Sequence, residues 1–154
     1  MPPEQIRLSE AAKEQLSRLK RRTGIKNWNI LCRWGLCRSL AESTPPSPIA
    51  IPADSSVEMT WKTFGGSNAE IYWALLRWRC HQDGLSLDED TLQQQFRLHL
   101  HRGIAYLAGD KKLTEIEHLI RRGGSTAARQ ASEQGAASEP SADNSNEEAA
   151  ELVS

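Results

Sequence analysis

Residues 5–41, QIRLSEAAKEQLSRLKRRTGIKNWNILCRWGLCRSLA, decide the fold of this chain of 154 residues. Apolar and polar side chains alternate over residues 5–9, a pattern that predicts a short strand. Ser9 is placed to cap a helix that begins at Glu10, because its hydroxyl can accept a hydrogen bond from a free backbone N–H group. Gly24 is placed to end that helix. The segment therefore predicts a strand and a helix, and it continues into a second helix.

This second helix begins after Asn27, which is placed as its cap, and runs to about Ala41. It is apolar around most of its circumference, so we expect it to be buried, in part against another subunit. The candidate oligomer interface consists of Trp28, Ile30, Leu31 and Trp34. Arg33 and Arg38 interrupt this apolar surface. Because a buried arginine needs a partner, we interpret both as internal ion pairs or subunit contacts, with a buried anion site as the alternative.

Periodicity in the rest of the chain predicts a mainly α fold, a compact bundle of about five helices. Residues 57–62 alternate, and they form a short strand or an extended segment. Ser67 and Glu70 have the spacing of a capping box at the start of a third helix. The apolar stripe predicted to face the core from this helix is Ile71, Ala74, Leu75 and Trp78. Asp88 is placed to cap a fourth helix, and a fifth is predicted near residues 113–122.

Charge is distributed unevenly along the chain, although the net charge is only −1. Residues 1–40 carry +6, whereas residues 125–154 carry −5. This acidic segment has no aromatic residue and cannot bury enough apolar area to offset its chain entropy. We therefore predict one folded domain over residues 5–123 and a disordered acidic tail over residues 124–154. Anionic partners are expected only near the basic N-terminal region.

Several classes of protein are excluded by what the sequence lacks. No apolar run approaches the roughly 20 residues that span a bilayer, and the N-terminus lacks the pattern of a signal peptide. Three cysteines are too few for a disulfide framework, so we expect a cytoplasmic protein with no membrane partner. There is no glycine-rich phosphate-binding motif and no constellation suited to nucleophilic catalysis. We therefore expect neither a cofactor nor an enzyme.

The cysteines and histidines do not predict a metal site. Cys32 and Cys37 lie five residues apart, which places them about 140° apart around a helix. His99 and His101 point to different faces of their helix. We therefore predict buried thiols and surface imidazoles rather than metal ligands.

The order of strand, helix, glycine turn and helix resembles a ribbon-helix-helix unit, and an ordinary helical hairpin is the alternative. In a ribbon-helix-helix protein two chains pair their strands, and outward strand side chains, here Gln5, Arg7 and Ser9, enter the major groove. The basic end of the first helix would add phosphate contacts, unless it is only a solvated end that complements the helix dipole. The candidate DNA-binding residues are Arg7, Lys13, Arg18, Lys20, Arg21, Arg22, Lys26 and Asn27.

Three stretches carry a more specific resemblance. They are LKRRTGIKNWN at residues 19–29 with LCRW at 31–34, FGG at 64–66, and FRLHLHRGIAYL at 96–107. On these residues the chain resembles the DndE family of bacterial DNA phosphorothioation systems, and the resemblance extends over about residues 5–122.

The resemblance to the DndE family implies a non-enzymatic accessory protein that binds double-stranded or nicked DNA. It also implies a homo-oligomer, a tetramer in that family, whose partners are the other DNA sulfur-modification proteins that carry out the sulfur chemistry. An oligomeric scaffold that docks those proteins without binding DNA tightly is the alternative. A metal-dependent nickase is disfavoured because no carboxylate cluster suits two metal ions.

Overall fold

Helices α2 (Trp28–Leu40) and α5 (Glu89–Gly109) form the main packing contact in a computed structural model that describes residues 1–110. The two helices cross where Gly35 meets Gly103. A Cβ atom added at Gly103 would lie only 1.6 Å from the Gly35 carbonyl oxygen. The crossing therefore requires glycine at 103, because the two backbones touch there without intervening side chains.

The remaining elements surround this crossing. Helix α1 (Glu10–Thr23) packs against α5, and α4 (Ala69–Gln82) contacts both α5 and α2. The mainly α prediction is confirmed, whereas the predicted fifth helix near 113–122 and the predicted tail lie outside the described residues. The elements before α5 are β1 (Gln5–Arg7), α1 (Glu10–Thr23), α2, β2 (Glu58–Thr60), α3 (Trp61–Gly65), a 3-10 turn (Gly66–Asn68) and α4 (Ala69–Gln82).

Three of the predicted helix boundaries are confirmed in atomic detail. The Ser9 hydroxyl accepts a hydrogen bond from the Ala12 N–H group at 3.1 Å. Gly24 ends α1 with φ of 73°, a left-handed conformation that glycine adopts without steric cost. Asp88 accepts from the Thr91 N–H group at 2.8 Å at the start of α5.

The N-terminal strand pairs within its own chain, which corrects the ribbon-helix-helix interpretation. β1 runs antiparallel to β2, with Ile6 opposite Met59 and Arg7 opposite Glu58. In the described residues the partner of β1 is therefore a strand of the same chain, not the β1 of a second copy. Gln5 and Arg7 are exposed, as predicted, but Ser9 is buried as the cap of α1 and does not belong to that outward face.

An aromatic cluster holds the short helix α3 against the core. The ring centroid of Trp61 lies 5.1 Å from that of Phe64 and 5.3 Å from that of Phe96. Trp73 of α4 meets Trp61 edge-on, with the centroids 5.7 Å apart. Such edge-to-face pairs stabilise a core beyond their buried area. The cluster thereby fixes the start of α4 beside α5.

Helix α4 faces the core with the side opposite to the one predicted. The predicted core stripe is exposed: Ile71 is 55%, Leu75 41% and Trp78 60% accessible. The side chains that α4 buries are Trp73, Leu76, Arg79 and Cys80. Both sides of α4 are apolar, so its periodicity could not identify the inner one.

The predicted capping box at the start of α4 is also not formed. Ser67 lies inside the 3-10 turn, and the N-cap position belongs to Asn68, which makes no side-chain capping bond. Helix α4 therefore begins one residue later than a Ser67 cap would place it. Across residues 1–110, no helix is long and apolar enough to cross a membrane.

Candidate nucleic-acid interface

Three exposed cations occupy the end of α1 and the turn that follows it. Arg18 and Arg21 lie three residues apart, so they share one face of α1, and Lys26 lies in the turn to α2. Within residues 1–110, none of the three forms an ion pair or a side-chain hydrogen bond. Their hydrogen-bond donors are therefore available to an external anion.

Lys20 and Asn27 extend this surface toward the start of α2. The Lys20 ammonium lies 3.9 Å from the centroid of the Trp28 ring, a cation–π contact that holds the charge at the junction of the two helices. Asn27 is exposed at the N-cap of α2, but its side chain makes no capping bond. The position predicted for Asn27 is confirmed, and its predicted side-chain cap is wrong. The N-cap side chain accepts no hydrogen bond from the first backbone N–H groups of α2. N–H groups left unbonded at a helix N-terminus can bind a phosphate.

Three of the eight predicted residues form side-chain hydrogen bonds or ion pairs inside the protein. Arg22 donates hydrogen bonds to the carbonyl oxygens of Ala108 and Asp110, so it closes the end of α5 rather than facing solvent with Arg21. Two others make surface contacts: Arg7 with Glu58 at 2.8 Å, and Lys13 with the Ser56 hydroxyl at 2.9 Å. Because exposed ion pairs are weak, Arg7 and Lys13 remain able to exchange these contacts for a phosphate.

The charge of α1 changes along its length. Glu10 and Glu14 line the same shallow groove as Lys13, Arg18 and Arg21. Both acids belong to the N-terminal half of the helix, and the cations become denser toward its C-terminal end. The strongest positive potential therefore lies at the end of α1 and the turn to α2, not along the whole helix.

Arg33 and Arg38 make internal contacts, as one interpretation of the sequence predicted. Arg33 donates through Nε to the Phe64 carbonyl oxygen and through Nη2 to that of Thr63 at 3.2 Å. Arg38 pairs with Glu42 at 2.6 Å. The partners of Arg33 are backbone carbonyls rather than an acid, so it binds the end of α3 to α2.

Two further arginines close the end of α2, and sequence reasoning missed both. Arg79 is buried, pairs with Asp83 at 2.9 Å and donates to the Leu40 carbonyl oxygen at 2.8 Å. Arg102 donates to the Ser39 hydroxyl at 2.8 Å and to the Ser39 carbonyl oxygen at 2.9 Å. A faint signal existed, because α2 ends without a glycine that would satisfy its last carbonyls.

The two histidines of α5 face different directions, as predicted, and His99 is buried whereas His101 is half-buried. His99 is fully buried with Nδ1 2.8 Å from the Ser39 hydroxyl, and its Nε2 has no hydrogen-bond partner in the described residues. Burial, with the charges of Arg102 and Arg79, lowers the pKa of His99 to about 4. His101 accepts from the Ser9 N–H group at 3.2 Å. The prediction of a surface imidazole is therefore wrong for His99, while His101 keeps partial exposure.

The three cysteine thiols differ in how far they are buried. Burial raises the pKa of Cys32 to about 12, and burial with the charge of Asp83 raises that of Cys80 to about 11. Cys37 is exposed, so the prediction of a buried thiol is wrong for it. In the part of the chain that the structure describes, no three His, Cys, Asp or Glu side chains converge as a metal site would require.

Comparison with known proteins places these features in a family. The family model described as DNA sulphur modification protein DndE matches residues 5–115. The chain belongs to the DndE family. The crystal structure of DndE from Escherichia coli B7A, involved in DNA phosphorothioation modification, is similar with a TM-score of 0.59 and 28% identity, covering 70% of this chain and 98% of that one.

A second solved structure, a DndE mutant involved in DNA phosphorothioation, shares the fold. Its TM-score is 0.54 at 23% identity, and the match covers 70% of this chain and 100% of that one. No curated protein sequence matches the chain. The matched part of this DndE-family chain therefore has the fold of the solved DndE proteins, and the match covers nearly the whole length of each of them.

The side chains predicted to form an oligomer interface on α2 pack in or against the core of this DndE-family chain. Leu31 is fully buried in the chain's own core, so it has no surface to offer to a second subunit, and its predicted role is corrected. Trp28, Ile30 and Trp34 are half-buried and pack against the same core. The largest exposed apolar side chains of the helices lie instead on α4.

Proposed function

We propose that this chain is a non-catalytic accessory protein of DNA sulfur modification that binds duplex DNA, including nicked duplexes. The observation that carries the proposal is the exposed group of Arg18, Arg21 and Lys26, which have no partner within residues 1–110 of a DndE-family fold. Lys20 and Asn27 complete the proposed contact. A DndE relative is involved in DNA phosphorothioation, which makes DNA the expected polyanion.

Phosphate contacts account for the residue types of this surface. Arginine offers a planar fork that binds two phosphate oxygens, and lysine adds a compact charge. Such contacts neutralise phosphates and release counterions, but they do not read bases. Binding is therefore expected to depend weakly on sequence, and an interrupted backbone leaves the remaining phosphates of a nicked duplex available.

The absence of catalysis is supported by the state of the reactive groups. Cys32 and Cys80 are buried thiols with raised pKa values, and the imidazole of His99 is sealed between α2 and α5. Asp88, with a pKa of about 2, is held by hydrogen bonds from Ser86 and Thr91 at a helix start. Each of these groups has a structural role, and we assign the sulfur transfer to partner proteins of the modification system. In our proposal this chain accompanies them as a homo-oligomer, a tetramer.

The experiment is a salt titration of duplex binding. The variant Arg18→Gln/Arg21→Gln/Lys26→Gln is compared with the native chain and with Lys62→Gln, an exposed cation of α3. The slope of log affinity against log salt should fall by about 0.9 for each lost phosphate contact, hence by about 2.7 in the triple variant. Lys62→Gln should change this slope by less than about 0.9, the value of one phosphate contact.

The second candidate function is an oligomeric scaffold that docks other modification proteins and binds DNA weakly. The exposed apolar stripe of Ile71, Leu75 and Trp78 favours it. The titration separates the two functions: a triple variant with the native slope and affinity would reject the DNA-binding surface and leave the scaffold.

A further inference from the structure

The chain carries an acidic segment beyond the part that matches its family. The match to the DndE family ends at residue 115, and residues 125–154, which we call the acidic segment, carry a charge of −5. This segment lies outside the residues that the structure describes, and Arg129 is its one base. Its six acids are Glu133, Glu139, Asp143, Glu147, Glu148 and Glu151. The DndE fold therefore does not account for these charges.

The described chain ends beside the basic end of α1. Arg22, in the last turn of α1, donates hydrogen bonds to the carbonyl oxygens of Ala108 and Asp110. Arg21 precedes Arg22 in sequence, and Arg18 lies about one turn earlier on the same helix. The chain that follows Asp110 therefore starts next to the cations that have no partner among the described residues.

The connecting chain is long enough to bring acids back to these cations. Between Asp110 and Glu133, the first acid of the acidic segment, lie 22 residues. They span about 33 Å at the 1.5 Å per residue of a helix and about 70 Å at the 3.3 Å per residue of an extended chain. Helix α1 has 14 residues, so it is only about 21 Å long. Both limits exceed the length of α1, so the acids can reach every cation at its end.

We propose that the acidic segment binds the cations at the end of α1 and competes there with DNA. The proposal rests on the DNA-binding function proposed above, because it assigns an intramolecular competitor to the same surface. A carboxylate and a phosphate both accept two parallel hydrogen bonds from an arginine fork, so Arg18 and Arg21 can bind either one. The acidic segment thus covers the surface until a duplex displaces it.

Tethering makes this competition effective, and salt limits it. A segment of the same chain is present at an effective concentration on the order of a millimolar. Each exposed ion pair is weak, however, and charges are screened beyond about 8 Å at physiological salt. Duplex DNA offers a denser row of charges, one per about 1.7 Å of its axis. DNA should therefore displace the segment, with an affinity that the competition reduces most at low salt.

A full-length variant with fewer acids tests the competition. Glu147→Gln/Glu148→Gln/Glu151→Gln removes three of the six acids without shortening the chain. Binding of a labelled duplex is measured by fluorescence anisotropy. At about 0.05 M salt the affinity should rise about threefold, because fewer carboxylates compete for the same cations. At about 0.2 M salt the gain should fall below about 1.5-fold, because screening weakens the competition.

A matched control separates the acidic segment from net charge. Glu70→Gln/Glu89→Gln/Asp90→Asn also removes three acids, so both variants change the net charge from −1 to +2. All three control residues are exposed, and Glu89 and Asp90 begin α5, at the end opposite to the one that Arg22 binds. The control should stay within about 1.5-fold of the native affinity, because distant exposed charges are screened. An equal gain in both variants would overturn the competition.

The basic surface is tested by combining variants. In the Arg18→Gln/Arg21→Gln/Lys26→Gln background, removal of the same three acids should change duplex affinity by less than about 1.5-fold, because the cations for which they compete are gone. A threefold gain that persists in this background would show that the acids act on other bases. It would overturn the assignment of the acidic segment to the end of α1.

A measurement without DNA separates this contact from the proposed function. A carbodiimide joins a carboxylate to a lysine amine that touches it, and mass spectrometry of the native full-length chain locates the amide. Cross-links from Lys26 to the acidic segment should exceed those from Lys62, an exposed lysine of α3, by about threefold or more. No excess at Lys26 would overturn the contact whatever the chain does with DNA. An excess in a chain that binds no duplex would keep the contact and reject only the DNA-binding function.

Discussion

The buried contact of α2 with α5 and the exposed end of α1 contain similar cations that have opposite surroundings. We call the first, from the Gly35–Gly103 crossing to the C-terminal end of α2, the closed region, and the second, with Arg18 and Arg21, the open region. In the closed region, Arg79 of α4 and Arg102 of α5 donate hydrogen bonds to carbonyl oxygens at the end of α2. At the end of α1, Arg18 and Arg21 have no partner among residues 1–110. Residue type alone therefore does not mark a binding surface. What separates a structural arginine from a binding one is whether the protein's own acceptors already satisfy it.

The arginines of the closed region bind carbonyl oxygens because α2 ends inside the protein. The last carbonyls of a helix have no partner within it, and burying them unpaired costs about 1–3 kcal/mol each. Arg102 binds the Ser39 and Thr44 carbonyls. The positive guanidinium also complements the negative end of the helix dipole. In the open region, Arg18 and Arg21 bind no buried carbonyl groups of residues 1–110, so both cations are available to an external anion.

The strongest test of the closed region is Gly103→Ala. Its Cβ atom would overlap the Gly35 carbonyl oxygen, so α2 and α5 must separate along their whole contact. We expect a loss of about 4 kcal/mol or more in the free energy of unfolding, measured by urea denaturation. Gly109→Ala is the matched control, because a Cβ atom there meets nothing within 4 Å among residues 1–110. A Gly103→Ala chain as stable as the control would show that the helices are not in backbone contact.

A pair of arginine variants compares the two regions directly. Arg79→Met leaves Asp83 and the Leu40 carbonyl without their partner in a buried setting, so we expect a loss of about 3 kcal/mol. Arg18→Met removes an exposed charge and should change stability by less than about 0.5 kcal/mol. DNA affinity should show the reverse pattern, decreasing for Arg18→Met and staying native for folded Arg79→Met. Equal losses of stability in the two variants would contradict the division.

Local signals predicted much of the fold. Ser9, Gly24 and Asp88 were identified as helix boundaries because each acts on backbone groups within four residues of itself. The pairing of β1 was not predictable in the same way, since alternation shows that a segment is a strand but not which strand it joins. The close approach of Gly35 and Gly103 depends on two helices far apart in sequence, which no local pattern relates.

The candidate site was predictable to a similar degree. Arg18, Arg21 and Lys26 remain available because little of the described chain covers the end of α1. Arg22 looked equivalent in sequence, but the end of α5 reaches it and takes its donors. The prediction of which face of helix α4 is buried failed for a different reason. Both of its sides are apolar, so only the packing of Trp73 against the aromatic cluster decides which one is inside.

The closed region should also show a stability that depends on pH through His99, with a change per pH unit smaller than the loss expected for Gly103→Ala or Arg79→Met. Its pKa is about 4 in the fold, against an ordinary value of 6.5, because burial and the charges of Arg102 and Arg79 disfavour the imidazolium. The unfolded chain therefore binds one more proton between these values. The contribution of neutral His99 to stability is fully present above pH 6.5 and is lost as the pH falls toward 4, by at most about 1.4 kcal/mol per pH unit. His99→Asn keeps a hydrogen-bonding group near the Ser39 hydroxyl but does not titrate, while His101 is common to both chains. Urea denaturation from pH 7 to pH 4 should show the native chain losing stability more steeply than His99→Asn, and parallel curves would mean that the imidazole is not sealed between α2 and α5.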